Sequence, residues 1–155
     1  MKGFVSNYTK KVDAKGRVSV PAAFRAALAR DGFEDLYCYP SLDMQAVDAG
    51  GNGLLGEIEQ RLGRFESFTE EHDYLSTAFY GVSELINIDG DGRIILSSKI
   101  KEFAGISDAV TFVGQGYKFQ IWEPERFATH AIEARKRALV MRKSASATPQ
   151  PGPAS

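Results

Sequence analysis

Hydrophobic and polar positions along this chain change their period several times, and each change marks an element. Residues 8–12 (Tyr-Thr-Lys-Lys-Val) and 17–20 (Arg-Val-Ser-Val) set apolar among polar side chains over short runs, which predicts two short strands. Between them Ala14-Lys15-Gly16 makes a tight hairpin connection. Gly16 can take the positive φ such a turn needs, and Asp13 can fold its carboxylate onto the turn amides. Pro21 suits the first position of a helix, where its missing N–H needs no partner. Ala22, Ala23, Phe24, Ala26, Ala27 and Leu28 fill that helix, and Asp31-Gly32 ends it. Strands are expected at 36–39 and 44–47, joined by the turn Pro40-Ser41-Leu42-Asp43 and followed by a flexible loop over 49–53. Leu54, Leu55, Ile58 and Leu62 recur at three and four residues and predict an amphipathic helix. Ser67 followed by Glu70 reads as a capping box opening a second helix to about Phe79.

The same order of elements then returns. Residues 82–88 read as a strand, 89–92 as a turn and 93–96 as a strand. Ser97 or Ser98 caps a short helix holding Ile100, Phe103 and Ala104, which Gly105 ends. Residues 109–113 and 117–122 read as strands around Gly114-Gln115-Gly116. Pro124 opens a last helix to about Lys143, with Phe127, Ala131, Ile132, Arg135 and Leu139 along one side. Residues 144–155, rich in Ser, Ala and Pro, are expected to be a disordered tail. The return is a repeat: Asp13-Ala14-Lys15-Gly16-Arg17 and Asp89-Gly90-Asp91-Gly92-Arg93 both read Asp-x-x-Gly-Arg, 76 residues apart. With the helix three residues shorter and two residues restored at the last turn, Gln120 falls on Gln45 and the repeat extends about 40 residues in each half. The expectation is an α+β chain of two intertwined halves sharing one core.

A chain of 155 residues with 43% hydrophobic and 25% charged positions has ordinary globular composition. No apolar run approaches the roughly 18 residues of a membrane span. The N-terminus has a polar break where a signal peptide would need its apolar core, and one lone Cys38 cannot form an internal disulfide. A cytoplasmic setting without membrane association is therefore expected. The formal net charge of −1 hides a strong partition. Residues 1–30 hold seven Lys/Arg against one Asp, residues 31–92 two Arg against fourteen acids, and residues 93–143 ten Lys/Arg against five acids. The basic blocks hold the first motif, the Arg of the second and the last helix.

Most candidate chemistry dissolves on inspection. Asp13 and Asp89 could pair as catalytic carboxylates, but bracing a turn accounts for each. Asn87 to Gly92 opens like a calcium-binding loop, yet its twelfth position is Ser98 rather than a bidentate Glu. His72 and His130 have no Cys or second His at ligand spacing, so no metal is expected. Gly114-Gln115-Gly116 lacks the Lys-Ser/Thr of a phosphate loop. Cys38 and Trp122 read as packing. No enzyme, cofactor or small-molecule substrate is expected. Arg17 and Arg93 remain. One Arg after a turn only pairs with its Asp, but two at equivalent positions suit phosphate oxygens and guanine edges on a protrusion narrow enough for a major groove. Lys10, Lys11, Lys15 and Arg25 are read as surrounding the first copy, whereas Asp91 stands in the second where Lys15 stands in the first. Asp13, Gly16, Asp89 and Gly92 are read as the structural residues of the two turns.

These residues resemble the MraZ family of bacterial transcriptional regulators, which is built from two SpoVT/AbrB-like half-domains. The resemblance covers roughly residues 3–143. It rests on Asp13–Arg17 with Pro21 and Phe24-Arg25, on Phe79-Tyr80-Gly81, on Asp89–Arg93, and on Phe112 to Gly116 with Phe119-Gln120-Ile121-Trp122. It implies tandem swapped-hairpin β-barrel halves sharing one core, with added helices: halves at 3–48 and 79–125, a helical connector at 49–78, a C-terminal helix at 126–143 and a tail at 144–155. It also implies ring-like homo-oligomers, binding to direct repeats in double-stranded promoter DNA of a division and cell-wall operon, and association with the nucleoid. By position Lys15 and Arg17 would contact DNA from the first turn and Arg93 from the second. Ser97 stands where the family commonly has Pro, and Ser6 where Gly is common. A non-catalytic oligomeric interaction module, with the acidic helices as its partner surface, is the competing reading.

Overall fold

The computed structural model describes residues 3–147. Eight strands and five α-helices follow in the order β1 (Asn7–Lys11), β2 (Arg17–Ser19), α1 (Ala22–Arg30), β3 (Leu36–Pro40), β4 (Val47–Gly50), α2 (Asn52–Leu62), α3 (Glu70–Ser76), β5 (Glu84–Ile86), β6 (Arg93–Ile95), α4 (Ser98–Ala104), β7 (Ala109–Gly114), β8 (Phe119–Trp122) and α5 (Pro124–Ala147). A wide π-helical turn over Thr77–Gly81 continues α3. The chain divides after Pro124 into a compact unit and a second unit carrying α5. None of the described helices is long and apolar enough to cross a membrane.

Two antiparallel sheets organise the first unit: one of six strands in the order β1-β7-β8-β4-β3-β5, and a ribbon of two, β2-β6. The repeated halves are interleaved. β1 pairs with β7 and β2 with β6, so the two strands flanking each Asp-x-x-Gly-Arg turn do not form a hairpin ladder with one another. This corrects the expected local hairpin. The tight turn is present, but each strand leaving it finds its ladder partner in the other half.

The interleaving follows an internal dyad. In the ribbon Val18 faces Ile94, its counterpart 76 residues on; in the large sheet Asp48 faces Gln120, flanked by the pairs Val47–Ile121 and Ala49–Phe119. The registers therefore align Gln120 with Asp48, at an offset of 72, and not with Gln45. Gln45 lies exposed in a longer loop than expected, closed by the Ser41 amide donating to the Ala46 carbonyl and by the Ser41 hydroxyl accepting from the Asp43 and Met44 amides. The fourth strand consequently starts at Val47, three residues late, and the supposed flexible loop at 49–53 is its buried end plus the first turn of α2.

Strand alternation sends Leu36, Cys38, Val47, Ala49, Val110, Phe112, Phe119 and Ile121 to one face of the six-stranded sheet. There they join Phe24 and Leu28 of α1, Ile100 and Ala104 of α4, and Val18 and Ile94 of the ribbon in one core. Phe24 sits at its centre, edge-on to Phe4, Tyr8 and Phe112. Burial pushes the Cys38 thiol up to about 12, with the nearby Glu84 adding to the effect, so its thiolate is disfavoured and it is a packing residue. On the opposite face Tyr37 and Tyr39 meet Leu54, Ile58 and Leu62, the predicted stripe of α2. Beside them Asp48 accepts from Gln120 Nε2 (2.8 Å) and Lys118 Nζ (3.0 Å), and Gln120 Oε1 accepts from Trp122 Nε1 (2.9 Å). A buried carboxylate at the dyad is thus matched by donors.

Helix ends account for further differences. Pro21 is the residue before α1 rather than its first helical one. Asp31 closes that helix, and Gly32 follows at φ 73°. α3 is capped by the Thr69 hydroxyl, which accepts from the His72 amide, so the expected box from Ser67 is displaced by two residues. Ser97 caps α4 by accepting from the Ile100 amide, and its own hydroxyl donates to Glu84. That explains how a helix can start here without Pro. α5 runs past Lys143 to Ala147, so the expected tail is helical in its first four residues. Its remainder lies outside the described residues. Ile132 and Leu139, from the expected apolar side of α5, are exposed.

Candidate nucleic-acid interface

Each Asp-x-x-Gly-Arg segment folds into the same braced turn. In the first, the Asp13 amide donates to the Arg17 carbonyl (2.9 Å) and the Gly16 amide to the Asp13 carbonyl (3.0 Å). Asp13 Oδ1 accepts from the Lys15 and Arg17 amides, and Oδ2 accepts from Arg17 Nε at 2.6 Å. In the second, Asp89 Oδ1 accepts from the Asp91 and Arg93 amides, and Oδ2 from Arg93 Nε at 3.2 Å. Gly16 and Gly92 hold φ of 82° and 78°, the left-handed conformation that closes each turn. Both carboxyls are held below the usual carboxylate range. The amide of the motif Arg is the first cause in each, and the remaining turn amide and the guanidinium add to it.

The two turns are fastened to each other across the dyad. The Val20 amide donates to the Gly92 carbonyl and the Leu96 amide to the Gly16 carbonyl, both at 2.9 Å. Arg25, from α1, lays its guanidinium on Gly92, where an added Cβ would fall 2.7 Å from Cζ, and donates from Nε to the Val20 carbonyl. Its counterpart at the repeat offset, Lys101 of α4, reaches Gly16, with Nζ 3.9 Å from where a Cβ on that glycine would lie. Arg25 is therefore seated on the second turn and not around the first. The helix-borne cation that reaches the first turn is Lys101, which the 76-residue spacing from Arg25 could have revealed.

The ribbon turns this doublet into a surface. Its register sets Arg17 opposite Ile95 and Ser19 opposite Arg93. Directly opposed residues in an antiparallel pair share a face. Val18 and Ile94 point the other way and are buried, so Arg17, Ser19, Arg93 and Ile95 occupy the outer face together. The hydrogen bond to Asp13 uses Arg17 Nε, and an arginine carries four further N–H donors on its Nη groups. Arg93 is more heavily engaged, because its Nη2 also meets Asp91 Oδ2 at 3.2 Å. Lys15 is exposed at the first turn. Lys10 and Lys11 lie in β1 against β7 and point to opposite sides of that strand, so at most one of them can share a face with any given neighbour. The ribbon brings the two predicted arginines onto one face and adds Ser19 and Ile95, which no motif singled out and which the cross-half register sets opposite Arg93 and Arg17.

What this arrangement can do is bind anions and hydrogen-bond acceptors along one face of a two-stranded ribbon. It offers guanidinium and ammonium groups, one hydroxyl and one apolar side chain, and no nucleophile–base pair.

Residues 79–148 match the family model described as "MraZ protein, putative antitoxin-like". A protein of Beijerinckia indica named transcriptional regulator MraZ is 57% identical over 149 residues, covering 96% of this chain and 91% of its own length. One of Methylocella silvestris with the same name is 54% identical, covering 95% and 90%. One of Rhizobium meliloti, again so named, is 39% identical, covering 88% and 93%.

Proposed function

Because the chain belongs to the MraZ family, we propose that it is a sequence-specific DNA-binding transcriptional regulator that acts on its own division and cell-wall operon promoter through direct repeats. The regulator names of its relatives support the role. The observation that carries DNA contact is the outer face of the β2-β6 ribbon, with Arg17 and Arg93 at diagonal positions on it. A two-stranded ribbon fits a major groove, and arginine can take guanine O6 and N7 together. Lys15, Lys101 and Arg25, with one of the oppositely directed pair Lys10 and Lys11 in β1, would add phosphate contacts and a salt-dependent affinity. In this reading residues 3–48 and 79–125 are SpoVT-AbrB-like halves forming a swapped-hairpin barrel, and residues 49–78 and 126–143 are additions. The protein works beside the nucleoid, without cofactor or catalysis.

Self-assembly belongs to the same reading. The stretch from α2 through Gly81 carries six acids against two Arg, and exposes Phe68, Tyr74 and Tyr80. α5 carries six Lys/Arg against two Glu and exposes Ile132, Val140 and Met141. Two different complementary patches give a heterologous contact, which closes into rings when the rotation allows. These same patches favour the competing reading of an interaction module.

A salt-controlled mobility shift on the protein's own upstream DNA separates the two. Arg17→Ala should weaken binding about tenfold or more, the value of a bidentate base contact, with the oligomer unchanged in size. Unchanged affinity would remove Arg17 from the interface, and no salt-dependent binding by the wild type would leave the interaction module.

A further inference from the structure

Building on DNA binding by the ribbon, we infer that Ile95 is a specificity residue that reads a thymine methyl group beside the base contacted by Arg17. The ribbon is nearly symmetric: Val18 answers Ile94, and Arg17 answers Arg93 at the 76-residue offset. On its outer face the dyad is broken at one pair only, Ser19 and Ile95. A polar residue suffices at that position in one half, so neither the strand nor the ribbon requires an apolar one in the other. Yet Ile95 stands 60% exposed between charged neighbours, opposite Arg17. Its Cγ2 approaches the Gly16 turn, 3.8 Å from where a Cβ on that glycine would lie, so the side chain stands against the first motif rather than the second. β-Branching restricts its χ1, so the methyl groups are presented with little rotamer freedom to lose.

In a major groove the one apolar feature on a base edge is the C5-methyl of thymine. A hydrophobic branched side chain beside a guanidinium therefore reads a two-base word, a guanine with a neighbouring thymine. On the other half of the ribbon Arg93 is accompanied by the Ser19 hydroxyl, which accepts or donates to any base edge. Each subunit thus reads a directional site, although its backbone is close to two-fold symmetric. Directional recognition is what binding to direct rather than inverted repeats demands of a pseudo-symmetric reader.

The probe is a duplex recovered from a randomised pool by the wild-type protein, in which each thymine is replaced singly by uracil, removing one methyl group and nothing else. Wild type should lose about fourfold in affinity at one thymine next to a contacted guanine, the equivalent of about 0.8 kcal/mol for one buried methyl-sized group. Ile95→Ser, which copies the residue already present at Ser19, should bind thymine and uracil duplexes alike. Ile95→Val should retain the discrimination and so control for folding. Salt-dependent, Arg17-dependent binding with no uracil effect at any position would overturn this inference alone, as would discrimination that persists in Ile95→Ser. Absence of salt-dependent binding to any duplex would overturn it together with the DNA-binding reading.

Discussion

At the scale of single residues, backbone conformation makes the clearest demands. Ser6 holds φ at 70°, where a Cβ is crowded and glycine is not, and its carbonyl accepts from the Gly114 amide. Nothing but its departure from the residue usual in the family drew attention to Ser6 in the sequence. Ser6→Gly should relieve about 1 kcal/mol of strain, partly offset by the added freedom of the unfolded chain. The net is a rise of a few degrees at most in the thermal midpoint, measured by scanning calorimetry; a fall would show that the serine side chain contributes more than its strain costs. Asp13 and Asp89 make a second demand, through ionisation. Their carboxyls are held below the ordinary carboxylate range in the folded protein by the turn amides and arginines. A depressed folded pKa stabilises above the unfolded value, and that stabilisation disappears as pH falls through the folded one. The two turns should therefore hold their full contribution at neutral pH and lose it below about pH 4. The double variant Asp13→Asn/Asp89→Asn should be less stable at pH 7 and show a shallower loss of thermal midpoint below pH 4. An acid limb identical to wild type would place the acid sensitivity elsewhere.

At the scale of elements, the two motif glycines and their neighbours test how the turns are built. Gly92 combines a positive φ with a side chain lying on it: a Cβ would meet the Arg25 guanidinium at 2.7 Å. Gly90, two residues earlier, has nothing within 4 Å. Gly92→Ala should cost about 1–2 kcal/mol for the left-handed backbone alone and displace Arg25 besides, whereas Gly90→Ala should be near neutral. Equal chemical denaturation midpoints for the two variants would refute the brace. The turns, helix α1, the stripe of α2 and a serine cap at 97 or 98 were legible in the sequence, because each is set by residues within one turn or one helical period; the structure selects Ser97. The fourth strand was misplaced because Asp48 looks like a loop residue until Gln120 and Lys118, some seventy residues away, supply its donors. The strand partners of β1 and β2, the seat of Arg25 and the role of Lys101 all depend on pairing between halves. Local sequence carries no signal for such pairing beyond the repeat itself.

At the scale of the whole molecule, the partition of charge has two consequences that a single substitution can pull apart. DNA affinity is proposed to reside in the ribbon and assembly in the acidic helices with α5. Phe68 lies in the loop between α2 and α3, is 97% exposed, and holds φ at 67°. An aromatic side chain in a strained conformation and almost wholly in water contributes nothing to the core of its own subunit, so replacing it should leave folding intact. On an acidic surface it is suited to a partner both basic and apolar, as α5 of a second copy is. Phe68→Asp would put a charge where that contact needs an apolar group. The expected outcome is a shift toward smaller species by size-exclusion chromatography with light scattering, at unchanged thermal stability per subunit. In the proposed assembly, contacts between subunits would raise the effective concentration of each further ribbon at a repeated site. The variant should therefore lose most of its affinity for a promoter with several repeats, yet bind a single repeat as well as wild type does. Arg17→Ala should show the opposite pattern, weak on both duplexes with the oligomer intact. If Phe68→Asp leaves the assembly unchanged in size, the acidic helices are not the subunit contact. If it weakens single-repeat binding as much as Arg17→Ala does, the division between a reading ribbon and an assembling surface is wrong.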